Sequence, residues 1–146
     1  MNIGRFFGGP TKTSTSFVRG QIQTREQIQA AKAVHDLENE ALKISDRLFA
    51  LDETESDLNS GFPDVVAVAS NTEGCSGFAS RSKDGPLTKL DATNGSDTFR
   101  VTNEGDNKSV SRTREIEGSD GGVLFIEHSA VYFGDKVTFT TREGFR

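Results

Sequence analysis

The chain of 146 residues has no Trp, one Cys, one Met, one Tyr and three Pro. With Cys75 alone, no intramolecular disulfide can form, and a disulfide-stapled scaffold is excluded. No apolar run approaches the roughly 20 residues of a membrane-spanning helix. The first ten residues, MNIGRFFGGP, lack the long apolar core of a secretion signal, so synthesis and residence in the cytosol, or in an assembly built there, are expected. Hydrophobic residues make up only 33% of the chain. Soluble globular chains average roughly 45–50%, counting Gly, and a chain of this length normally buries about two-thirds of its surface. Part of this one is therefore expected to fold against something else.

Motifs that name a reaction are missing as well. Zinc needs three or four converging ligands, and the sequence offers one Cys and two distant His, His35 and His128. A calcium loop needs Gly at its sixth position and Glu at its twelfth. Counting from Asp52, those positions hold Asp57 and Pro63; counting from Asp57, they hold Phe62 and Ala69. Neither Gly8-Gly9 nor Gly121-Gly122 leads into the Gly-Lys-Ser/Thr of a phosphate loop. No nucleophile elbow is present, and no catalytic, cofactor-binding or metal-ligating residue is assigned. Asn94 and Asn107 match the glycosylation pattern but read as turn residues. Cys75, between Gly74 and Ser76, reads as a small inert thiol.

What is present is an uneven charge distribution within a net charge of −5. Residues 1–25 hold Arg5, Lys12, Arg19 and Arg25 and no acid, for +4; residues 26–66 hold ten acids and three bases, for −7; residues 67–146 come to −2. Residues 1–23 read as an extended arm rich in Gly, Ser and Thr. Phe6, Phe7 and Phe17 are its docking pegs, since a purely disordered segment is poor in aromatics. Arg5, Lys12 and Arg19 complete a partner-binding set. Four cations and two stackable Phe also allow nucleic-acid contact. The remaining −9 would repel a polyanion, which ranks that class lower.

Residues 24–52 read as a helix. Thr24 and Gln27 have capping-box spacing, and no Gly or Pro follows until the segment ends. Ala30, Val34, Leu37, Ala41, Ile44, Leu48 and Leu51 recur in steps of four and three, a heptad seam. Ile28, His35, Leu42 and Phe49 form a second stripe. Such a wide face suits an oligomeric bundle or a helix lying on its own β-domain. Val34, Leu37, Ala41, Ile44, Leu48 and Leu51 are taken as an oligomer seam. Residues 53–63 are an acidic linker.

Residues 64–146 read as a β-domain. Strands are expected at 65–69, 98–103 and 108–117, the last two as an exposed hairpin, with 71–97 mostly loop around one short strand near 77–82. Residues 123–133 and 136–141 are expected to pair around Gly134-Asp135. That register sets Tyr132 opposite Val137 and Ala130 opposite Phe139, and puts Tyr132, Ala130, His128, Ile126 and Leu124 on one face. The fold class is α+β: an extended arm, one long amphipathic helix and a mostly antiparallel β-domain, a sandwich or small barrel.

This layout of arm, helix and polar β-domain resembles small virion proteins of tailed bacteriophages, above all capsid cement or decoration proteins, and secondarily neck, baseplate or fibre-attachment proteins. The resemblance implies a non-enzymatic structural role in the virion. It also implies self-association, with a trimer favoured, and arms that reach other structural proteins across capsomer boundaries.

Overall fold

Thr24 caps the helix as its spacing predicts. Its Oγ1 accepts the Gln27 N–H at 3.1 Å, while Gln27 Oε1 accepts the N–H groups of Thr24 at 3.1 Å and Gln23 at 3.0 Å. The computed structural model describes residues 11–51, 65–82 and 85–145. Among them are one helix, α1 (Arg25–Leu51), and eight strands. The strands are β1 (Thr11–Val18), β2 (Val65–Thr72), β3 (Cys75–Ser82), β4 (Leu87–Thr93), β5 (Asp97–Glu104), β6 (Asn107–Glu117), β7 (Val123–Phe133) and β8 (Lys136–Phe145). All pair antiparallel in one sheet, in the order β1-β8-β7-β6-β5-β4-β3-β2. The strands thus form one continuous hydrogen-bonded sheet with β1 and β2 at its two edges.

The length of α1 follows from this topology. The chain leaves β1 at one edge and must reach β2 at the other before the meander returns it to β8. Eight strands at their usual spacing are about 34 Å across; 27 helical residues span about 40 Å. The helix accordingly lies across the sheet and touches every strand.

The core lies between them. One row across the inner face runs Val68, Ala79, Leu90, Val101, Val110, Ala130 and Phe139, each opposite the next. Val34, Leu37, Ala41, Ile44 and Leu48 of α1 are buried in the same cluster. The seam is therefore filled by the chain's own sheet, in place of the second helix that an oligomer seam would supply. Leu51 closes the helix. In the second stripe Ile28 and Leu42 are exposed, while Phe49 packs at the core's edge under the Arg81 guanidinium, 4.5 Å from its ring centroid.

Three expectations change. Residues 11–18 of the arm are not an extension away from the domain: they pair with β8, and Phe17 is buried opposite Val137. The short strand expected near 77–82 is the longer β3, 75–82, and residues 87–93, expected as loop, are strand β4. Their Ser, Gly and Thr carry little apolar pattern, but ladders on both sides satisfy their backbones. Gly77 is required there: at φ +140° a Cβ would lie 2.2 Å from the Asp91 carbonyl oxygen. Strands β5 and β6 are not an exposed hairpin but lie mid-sheet, with Phe99 and Val110 buried. The β7–β8 register is the expected one, Tyr132 opposite Val137 and Ala130 opposite Phe139, and Gly134 turns it at φ +60°.

Candidate functional site

The inner face also carries charge beyond the apolar row. Arg112 on β6 donates through one terminal nitrogen to Glu40 Oε2 of α1 at 2.5 Å and through the other to His128 Nδ1 of β7 at 2.8 Å. The imidazole stacks on Phe139, with centroids 5.8 Å apart and planes 13° from parallel. Since Nδ1 accepts from a guanidinium, the ring proton sits on Nε2. Burial holds the His128 pKa below its ordinary value, and the Arg112 charge adds to the effect. His128 therefore stays neutral with its basic nitrogen occupied, which makes it a structural link between β6 and β7 and a poor general base.

Next to it, Arg114 grips Asp97 with two parallel bonds, Nε to Oδ1 at 2.6 Å and a terminal nitrogen to Oδ2 at 2.8 Å. Asp97 is buried at the start of β5, and its N–H donates to Asn94 Oδ1 at 3.1 Å. The Arg114 hydrogen bonds hold its carboxyl below the usual carboxylate range against the opposing effect of burial. Asn94 is thus a turn residue, as its sequence context suggests.

A cleft of about 420 Å³ opens where α1 passes the opposite ends of these strands. Ala41 and Leu42 of α1, Leu87 of β4, Val101 of β5 and Val110 of β6 make it apolar. Arg19, Glu38, Lys108 and Tyr132 bring polar groups. Arg19 is placed by the turn after β1, its N–H donating to the Asp135 carbonyl at 3.0 Å. Its guanidinium lies over the Tyr132 ring, 5.3 Å from the centroid, and 3.7 Å from Glu38 Oε2. The Tyr132 hydroxyl is buried, with the Glu38 carboxylate and the Arg19 guanidinium as its polar neighbours. Burial, then the Glu38 charge, pushes its pKa well above the usual tyrosine value.

The residues singled out from sequence scatter around this arrangement. Lys12 is exposed on β1 opposite Arg142, Phe17 is in the core, and Arg19 lines the cleft. Arg5, Phe6, Phe7 and the 53–63 linker lie outside the described residues. Val34, Leu37, Ala41, Ile44 and Leu48 face the sheet. Sequence reading missed Glu38, Lys108 and the role of Tyr132. The available signal was the placement of Tyr132 on the inner face, where a phenolic hydroxyl needs a partner. Among the described residues no three His, Cys, Asp or Glu side chains gather as a metal site, and no helix is long and apolar enough to cross a membrane. Cys75 is free and buried. Comparison with protein-family models, curated proteins and solved structures finds no match.

Proposed function

We propose that the protein is a non-enzymatic structural component of a virion, of the capsid cement or decoration type, which self-associates and binds a larger protein shell. The observation that carries this reading is an uncovered apolar groove along the first half of α1. Ile22 is 39% exposed and Ile28 51%. With Ala31 and His35 they line a groove of about 330 Å³. Burying α1's main stripe on the sheet leaves this second stripe for a partner protein, and amphipathic helices commonly present such anchors at helical spacing.

The arm adds to it. Residues 1–10 hold Arg5, Phe6 and Phe7 ahead of the edge strand β1. A fully extended segment of ten residues would reach up to about 33–36 Å. Aromatic anchors would supply affinity, and the basic arm would be steered toward acidic surfaces.

Light scattering across a range of concentrations tests the self-association, with a trimer expected. Replacing both Ile22 and Ile28 with Asp should return a folded monomer, since both positions are exposed. A wild-type chain that stays monomeric at every concentration, or a double variant of unchanged mass, overturns the groove as the interface.

A further inference from the structure

We propose that the outer edge of β1 binds an extended, acidic segment of a partner protein as a ninth strand of the sheet, a contact separate from the α1 groove and independent of it. Among the described residues β1 has a neighbour on one side only, β8. The backbone directions follow from one bond. Arg19 N–H donates to the Asp135 carbonyl in the β1–β8 register, and residues of an antiparallel pair alternate between bonded and non-bonded. Thr11, Thr13, Thr15 and Phe17 therefore bond to β8, while Lys12, Ser14, Ser16 and Val18 point their N–H and C=O groups away from it. The Gln21 N–H takes the Val18 carbonyl at 2.9 Å, and Gln27 Nε2 approaches the Ser16 carbonyl at 3.4 Å. The N–H groups of Lys12, Ser14 and Ser16 and the carbonyls of Lys12 and Ser14 are left for another strand.

Exposed edges are usually blunted by Pro, by bulges or by charged side chains. From Thr11 to Val18 there is no Pro and no Gly, the register with β8 is unbroken, and Lys12 is the one charge. Thr11 to Ser16 are exposed or half-buried, so a strand can come alongside without displacing the core. Lys12 selects the partner. It lies opposite Arg142, a like charge; Glu127 answers Arg142 at 3.3 Å, while Lys12 has no ion pair among the described residues. An acidic side chain opposite Lys12 on the added strand answers it in turn, since opposite charges across a strand pair stabilise and like charges do not. At the other end a polar pocket of about 270 Å³, lined by Gln21, Gln23, Gln27 and Lys136, adjoins Ser16 and Val18. Its amides and ammonium suit a second carboxylate. In strand addition the main-chain bonds give affinity and such side-chain positions give specificity.

The end-capped peptide EVTVTVE is the probe, laid antiparallel to β1 with its acidic ends beside Lys12 and Val18. In fluorescence polarisation with the labelled peptide, the full-length protein should bind it saturably, and at least tenfold more tightly than KVTVTVK. N-methylation of its two threonines, whose amides face β1 in this register, should abolish binding. N-methylation of two of its valines, whose amides face away, should be tolerated. Ser14→Pro removes an N–H that points away from β8, a place where edge strands accept Pro. It should keep the circular dichroism spectrum and weaken EVTVTVE at least tenfold. Lys12→Glu, at an exposed position, should keep the fold and reverse the preference between the two peptides. The proposal is overturned if EVTVTVE does not bind at millimolar concentration, if KVTVTVK binds as tightly, if the two methylation patterns act alike, or if Lys12→Glu leaves the preference unchanged.

Discussion

The two faces of the sheet are written on the same strands, residue by residue, yet they hold the molecule in different ways. On the inner face Phe17, Val68, Ala79, Leu90, Phe99, Val110, Ala130 and Val137 are all at most 5% exposed and pack under α1. The outer face shows Ser14 and Ser16 bonded to Thr140 and Thr138 across the β1–β8 pair, at 3.0 and 2.9 Å. Burial scales with apolar area removed from water, whereas an exposed hydroxyl pair exchanges one water bond for another. The inner face therefore sets stability. The outer hydroxyls add cross-strand contacts that favour the edge-strand register.

The comparison breaks most visibly at its centre. Leu48 is fully buried against the sheet, and Leu48→Ala should cost about 2–5 kcal/mol, the range for truncating buried leucine. Chemical denaturation measures it. A loss below about 1 kcal/mol, well short of that range, would mean that α1 is held mainly by something other than this packing.

The β7–β8 turn comes second. Gly134 sits at φ +60°, and a Cβ added there would meet no atom within 4 Å, so the penalty of a side chain is purely conformational. Gly134→Val should cost about 1–2 kcal/mol, read from the same denaturation curves. A neutral result would show that the turn relaxes to another type.

Acid sharpens the contrast further. Unfolded His128 takes up a proton near 6.5, and the folded residue does so only at lower pH. Arg112 and Arg114 oppose that proton while Glu40 and Glu143 favour it, and burial decides the direction. As pH falls through 6.5 the unfolded state binds more protons, and stability drops. Asp97 acts in the same direction lower down: its stabilisation is full above the unfolded value near 3.8 and is lost as pH falls through its depressed folded pKa. Melting temperature should therefore decline between about pH 7.5 and about pH 5.5, and His128→Asn should flatten that decline. A wild-type melting temperature that does not move over this interval would contradict the neutral, buried imidazole.

The smallest effect belongs to the outer face. Thr140→Ala removes the bond to Ser14 and should change stability by no more than about 0.5 kcal/mol. A larger loss would mean that β1 depends on its hydroxyl contacts more than on Phe17.

Much of the local structure was legible because its signals are short-ranged. Thr24 and Gln27 reach each other within one turn, and the Gly134-Asp135 loop dictates which β7 residue meets which β8 residue. The heptad spacing marked the buried side of α1 but not what covers it: a helix and a sheet demand the same stripe. Strand β3 showed only as a short strand near 77–82, and β4 left no signal, because Ser, Gly and Thr form strands when neighbours pair with them, which no local pattern records. The cleft was still less visible, since Arg19, Glu38, Lys108 and Tyr132 come from the β1 exit, the helix and two strands.

By itself, then, the sequence determined where α1 begins, its main buried stripe, the β7–β8 register and the sidedness of β7. These depend on capping, period and turn geometry, all set by residues close along the chain. Tertiary structure alone decided that residues 11–18 join β8, that the seam meets a sheet, and that Arg19, Glu38 and Tyr132 meet at one cleft. Ser14 and Thr140 are 126 residues apart. A contact at that separation forms only after the intervening helix and meander have closed the loop between them, so its partner is chosen by the whole fold.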